Sequence, residues 1–303
     1  MSAFKQFRVE PGEKFKLKDR DPGDTAGFKS KKEANAKERM TEGIERLRAL
    51  QARLYAHDRW ALLIVFQAMD AAGKDSTIEH VMSGVNPQGC QVYSFKQPSA
   101  EELDHDYLWR TNRCLPERGR IGVFNRSYYE EVLVVRVHQG ILAAEKLPTK
   151  LVDEDIWKRR FKDINAYERY LAQNGVALVK FFLHVSKEEQ RRRFLARLDE
   201  PQKNWKFSLS DVKEREHWDE YMAAYEDMLE HTSTEHAPWH VIPADHKWFT
   251  RMAVADIIVS TLEKLKPEYP AITEEKRREL EVARKALEQE EMKSAASDGG
   301  TTA

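Results

Sequence analysis

An apolar run, Ala61 to Phe66 (ALLIVF), empties directly into a glycine-lysine turn within the segment FQAMDAAGKDST, residues 66–77. This is the pattern of a buried strand whose end becomes a phosphate-binding loop. Successive backbone N–H groups turn into one concavity, and the next helix opens with the positive end of its dipole facing the same spot. Lys74 adds a full charge there, and Ala71, Ala72, Gly73, Asp75, Ser76 and Thr77 complete the expected cradle. The fit to G-x-x-x-x-G-K-[ST] is imperfect: Ala68 stands in place of the first glycine, and Asp75 in place of the hydroxyl residue that usually meets magnesium. The competing reading is a plain strand-to-helix turn, with Gly73 as a permissive hinge and Lys74 solvated. Asp70 weighs against that reading. A carboxylate beside a phosphate is repelled unless a cation lies between them, so Asp70 is a candidate magnesium ligand.

The alternation of strands and helices carries the fold class. Near-continuous apolar strands such as ALLIVF and VALVKFFLHV alternate with helical segments, which predicts an α/β fold with a mainly parallel sheet covered by helices on both faces. Strands are expected at 61–66, 91–95, 120–124, 176–185 and 239–243, and helices at 31–57, 74–82, 100–113, from 128, from 153, from 187, from 210, and at 247–266. Residues 1–30, rich in Gly, Pro and charge, are expected to lie as an arm on a single domain spanning 31–270, and 271–303 to form a charged helix and a frayed tail. In a chain of 303 residues, 41% apolar residues suffice for a large core. The net charge of −1 provides no global field toward nucleic acid, so any anion site must be a local basic cluster. The two cysteines, Cys90 and Cys114, show no metal-ligand spacing. No apolar stretch reaches membrane-spanning length and the N-terminus lacks a signal-like core, so a cytoplasmic protein without a membrane partner is expected.

Two further segments carry candidate chemistry. In VFNRSYYEE, Asn125 and Arg126 stand at a strand carboxyl end, the edge where ligands of open α/β sheets bind. The alternative for Arg126 is a surface pair with Glu130 at i+4, worth only about 0.3–0.5 kcal/mol. In RRRFLARLDEPQKNWK, residues 191–206, Arg193 and Arg197 share a helix face and Lys206 follows. Such a strip suits a polyanion, since arginine forks bind phosphate bidentately. The same run also reads as a solvated helix face, although Pro201 marks a loop between helices, a place for a lid over about 191–210. Lys96 and Arg113, with Arg110, are nucleotide-side candidates or surface charges.

The ordered series MDAAGKDST, NPQGCQVYSFKQPS, VFNRSYYEEVLVVRVH, SKEEQRRRFLARLDEPQKNWKFS, REHWDEYMAAYEDML and PWHVIPADHKW resembles the family-2 polyphosphate kinases, from the PGDTAGF arm to about Tyr269. The variant loop D-A-A-G-K-D-S-T is the form that family uses. The resemblance implies a P-loop kinase fold of three layers with a helical lid. It also implies magnesium-dependent phosphoryl transfer between inorganic polyphosphate and adenine or guanine nucleotides, and a homo-oligomer. N-R-S-Y-Y-E resembles the class III members, which phosphorylate both nucleoside mono- and diphosphates, where other classes show D-R-S-W-Y-N; Asn125 and Glu130 carry that assignment. Carried over by position, Asp70 would help hold Mg²⁺, Lys74 and the loop would grip phosphates, and Arg126 would stabilise charge on donor or acceptor. Arg193 and Arg197 would contact polyphosphate. An ATP-dependent nucleoside monophosphate kinase and a non-catalytic polyphosphate or nucleotide sensor are the alternatives.

Overall fold

The computed structural model describes residues 4–298. They divide into two units, with the boundary between Glu268 and Tyr269. The first holds five strands: β1 (Ala61–Gln67), β2 (Cys90–Ser94), β3 (Ile121–Asn125), β4 (Val176–His184) and β5 (Trp239–Pro243). All neighbours run parallel in the order β2-β3-β1-β4-β5. All seven residues of β1 are buried, as a central strand covered on both faces requires. Parallel pairing also brings every strand's carboxyl end to one edge, so the loops after β1 and β3 open side by side.

Helices Ala36–His57, Lys74–Val81 and Lys247–Leu265 pack together, while Ile156–Gln173 packs with Trp218–Thr232 and β4. The N-terminal arm contributes core rather than loose chain. Phe4 and Phe7 set their rings edge-on to Phe249, and the Val9 N–H donates to the Trp239 carbonyl at 2.9 Å. Arg8 makes an antiparallel bridge with His240, so the arm covers the otherwise open edge of β5.

One expected helix is absent. Residues 100–113 form two single turns, Ala100–Leu103 and Trp109–Asn112, instead of one continuous helix. Ser99 and Glu102 make a reciprocal capping box that starts the first turn. Asp106 then accepts from the Leu108 N–H at 3.0 Å, a local side-chain bond that diverts the backbone from the helix. In the second unit a charged helix, Glu274–Asp298, runs past Lys293; the final residues of the expected tail, 299–303, lie outside the described residues.

Candidate active site

The loop after β1 needs two left-handed residues, Ala71 (φ +60°) and Gly73 (φ +106°). Glycine enters that region freely, whereas alanine is strained there by about 1–2 kcal/mol. Beside it Arg126 also has positive φ, +64°, and its N–H donates to the Phe66 carbonyl at 3.0 Å. Two adjacent strand ends thus each hold a non-glycine residue in the left-handed region.

Lys74 is buried, and its Nζ donates to the Ala68 carbonyl at 2.8 Å and the Met69 carbonyl at 3.4 Å. Burial, reinforced by the charge of Arg126, pushes its pKa down to about 8. Asp70 accepts from Arg126 Nη2 at 2.7 Å. Burial pushes the Asp70 carboxyl up, but the charges of Lys74, Arg126 and Arg197 together overcome it and hold the group below its usual range. Arg126 also meets Glu130 at 3.5 Å. The surface-pair reading of Arg126 and Glu130 thus has a geometric basis, but the pair lies in a cavity wall and Arg126 bridges two carboxylates. Burial raises the Glu130 carboxyl against the pull of Arg126 and Lys74. Asn125 Nδ2 donates to Asp75 Oδ1 at 2.6 Å, linking the two strand-end segments a third time.

Two cavities meet at Asp70, Lys96, Arg126 and Asp211. One, of about 600 Å³, has mixed walls that include Phe95, Tyr107, Tyr221, Tyr225, Glu130 and Arg110. The other, of about 780 Å³, is a charged groove along Gly73, Lys74, Arg197, Lys203, Lys206 and Lys247. Asp75, Ser76 and Asn125 also line the groove. Ala72 and Thr77 are buried behind the loop, where the Thr77 N–H returns to the Gly73 carbonyl at 3.0 Å.

Two of the expected site residues are placed otherwise. Arg113 does not reach either cavity: because the 100–113 segment is broken, its guanidinium lies over the Trp109 ring at 4.6 Å, beside Glu102 and Cys114. Arg110 occupies the cavity wall instead, donating to the Lys96 carbonyl at 2.8 Å. Arg193 borders the groove, but its N–H groups turn into protein. It donates to the carbonyls of Ala71, Ala72, Ala244 and Asp245 and to the Glu189 carboxylate. Arg197, one turn later, lies over the Phe194 ring at 5.2 Å and makes long polar contacts, 3.4 Å to the Lys206 carbonyl and 3.5 Å to Asp211. Lys247 is a groove cation that sequence reasoning missed. Its signal was available, since it follows the carboxyl end of β5, the edge already expected to bind ligand.

With this geometry in place, relatives become informative. The sequence model of "Polyphosphate kinase 2 (PPK2)" matches residues 29–270. The chain belongs to that family. It is 55% identical over 284 residues to the ADP-polyphosphate phosphotransferase of Rhodopseudomonas palustris, covering 93% of this chain and 98% of the relative. It is 47% identical over 266 residues to the AMP/ADP-polyphosphate phosphotransferase of Meiothermus ruber, covering 88% and 95%. A crystal structure of polyphosphate kinase 2 from Arthrobacter aurescens superposes with a TM-score of 0.83 at 40% identity, covering 93% of this chain and 97% of that one. The fold is thus that of the PPK2 enzymes, and the matched span contains every candidate site residue.

Among the described residues no cluster of three or more His, Cys, Asp or Glu side chains forms a closed metal cage. The charged groove instead offers hard oxygen donors, chiefly Asp70. Mg²⁺ usually takes one or two carboxylates and fills its remaining positions with water and substrate phosphates, so the donor set fits. No helix among the described residues is long and apolar enough to cross a membrane.

Proposed function

We propose that this PPK2 protein transfers the terminal phosphoryl group of inorganic polyphosphate to nucleoside mono- and diphosphates. The observation that carries the reading is the junction of the two cavities at Asp70 and Arg126. The groove with its succession of cations suits an extended chain of phosphates. The cavity with aromatic and polar walls suits a nucleotide, whose base needs apolar faces and a few hydrogen-bonding groups. A polymer phosphate in the groove and a nucleotide phosphate in the cavity would meet at that shared wall, the end-to-end arrangement that in-line transfer requires.

In that arrangement an oxygen of the acceptor's terminal phosphate attacks the terminal phosphorus of the polymer. The P–O anhydride bond breaks, and the bridging oxygen stays with the shortened chain. Lys74 and the loop amides bind the phosphates, Arg126 balances charge as it spreads over the equatorial oxygens, and Arg197 closes over the chain from the lid. Magnesium, bound through Asp70 and substrate oxygens, would supply further charge neutralisation. No side-chain nucleophile is called for. The mixed acceptor reading rests on Asn125 and Glu130, and the Meiothermus ruber relative carries both acceptors in its name. Because one anhydride replaces another, the transfer is expected to be reversible.

The test is a time course of purified protein with Mg²⁺, long-chain polyphosphate and AMP, resolving AMP, ADP and ATP by chromatography. ADP followed by ATP is expected. ADP alone would restrict the acceptor to monophosphates, and transfer from ATP in preference to polyphosphate would assign the groove to a second nucleotide.

A further inference from the structure

Three consecutive carbonyls of the phosphate loop are turned toward one helix, and two side chains of that helix cap them all. Gln190 Nε2 donates to the Asp70 carbonyl at 2.9 Å, and Arg193 Nη1 donates to the carbonyls of Ala71 at 3.1 Å and Ala72 at 2.6 Å. The two residues are three apart on the Lys187–Asp199 helix and so share a face. The rest of the Arg193 fork is also engaged: Nε with Glu189 at 2.7 Å, and Nη2 with the carbonyls of Ala244 at 2.5 Å and Asp245 at 3.2 Å. Arginine has five N–H donors, and here each has a protein oxygen. None is left for a phosphate.

The consequence follows from the peptide plane. In a trans peptide the C=O and the next residue's N–H point in opposite directions. Holding the Asp70 and Ala72 carbonyls on the helix side therefore sends the Ala71 and Gly73 N–H groups to the other side. The Ala72 N–H closes the turn onto Met69 at 3.3 Å. The clamp also holds Ala71 in its strained left-handed conformation. It is also joined to the segment that follows the lid, since Arg215 Nη1 donates to Gln190 Oε1 at 2.5 Å.

We propose that Gln190 and Arg193 are positioning residues that aim the loop amides at the transferred phosphate, and that Arg193, unlike its neighbour Arg197, does not bind polyphosphate itself. The inference rests on reading the loop as the phosphate cradle of the reaction above. Full-length Arg193→Gln, Arg193→Lys, Gln190→Leu and Arg197→Gln provide the test, with circular dichroism and thermal melts to establish that each is folded. Steady-state kinetics and calorimetric binding of inorganic polyphosphate over a salt series are then compared.

For Arg193→Lys and Gln190→Leu, kcat is expected to fall about tenfold to a hundredfold, as misplacement of binding groups does. Their combined effect should be smaller than the product of the single effects, because both hold one loop. Arg193→Gln should keep the salt dependence of polyphosphate binding, whereas Arg197→Gln should make it shallower by roughly one ionic contact. A shallower dependence for Arg193→Gln, or near-normal kcat in Arg193→Lys, overturns the clamp. Should Arg193→Gln fail to fold, Arg193→Lys and Gln190→Leu still decide it through kcat. Absence of transfer in the unsubstituted protein would instead overturn the proposed function, a result separate from any difference among the variants.

Discussion

Lys74 and Lys180 are both buried lysines, and burial pushes both down to a pKa of about 8. Their surroundings differ in a way that matches the binding role proposed for Lys74 and a scaffolding role for Lys180. Lys180, on β4, donates to Glu168 at 2.6 Å, to the Tyr129 hydroxyl at 2.7 Å and to the Thr232 carbonyl at 2.8 Å. An ammonium has three donors, so it is saturated. Glu168 in turn accepts from Tyr128 and Tyr129 at 2.8 Å each, which fixes the segment immediately after Arg126. Lys74 reaches only two carbonyls, one of them at 3.4 Å, and lines the groove. A displaced pKa thus accompanies both roles, and the spare donor facing a cavity tells them apart.

Substitutions can break this comparison. Lys180→Met leaves Glu168 as an uncompensated buried charge, and a loss of about 3–5 kcal/mol in denaturant-monitored stability is expected, with kcat of the folded fraction near normal. Lys74→Met should leave the fold intact, because removing the charge relieves its burial. Transfer should slow about a hundredfold to a thousandfold, or about 2.7–4 kcal/mol of transition-state stabilisation, measured as kcat at saturating polyphosphate. A Lys180→Met protein that folds normally but has lost transfer would reverse the two roles.

The pH profile sharpens the same point. The Lys74 ammonium loses its proton near 8 rather than at the ordinary value of 10.5, so kcat/KM should decline as pH rises through about 8. Bound phosphate favours the charged form, so the corresponding limb in kcat should lie at higher pH. Lys74→Arg, which stays charged, should lack the limb at whatever rate it retains. Least in magnitude is the repair of the scaffold pair. Lys180→Met combined with Glu168→Gln should recover at least about 1 kcal/mol relative to Lys180→Met alone, because a neutral amide in place of the carboxylate no longer leaves a charge buried.

The strands were legible because a parallel sheet covered on both faces demands unbroken apolar runs, and ALLIVF is short and closed by a glycine-containing turn, as a buried strand is. The turn that follows was legible because Gly73 and Lys74 have few other reasons to close such a run. The expected helix at 100–113 breaks because good helix formers stand at its ends, such as Ala100–Leu103, while Asp104-His105-Asp106 between them are poor ones and the Asp106 side chain competes for the backbone. Arg193 and Arg197 looked equivalent by spacing. Nothing in the string RRRFLAR tells which guanidinium will find the carbonyls of a loop far away in the chain.

The amino-acid sequence by itself determined the order of strands and helices, the phosphate loop, the strand-end Asn125-Arg126 pair and the family. These rest on local periodicity, turn chemistry and the ordered series of motifs. Tertiary structure decided which charged groups line the two cavities, Lys74 rather than Lys180 and Arg110 rather than Arg113, and which groove arginine spends its donors on protein oxygens, Arg193 rather than Arg197. A side chain's type is local, but the saturation of its donors depends on oxygens that only the packed sheet and helices bring within about 3 Å.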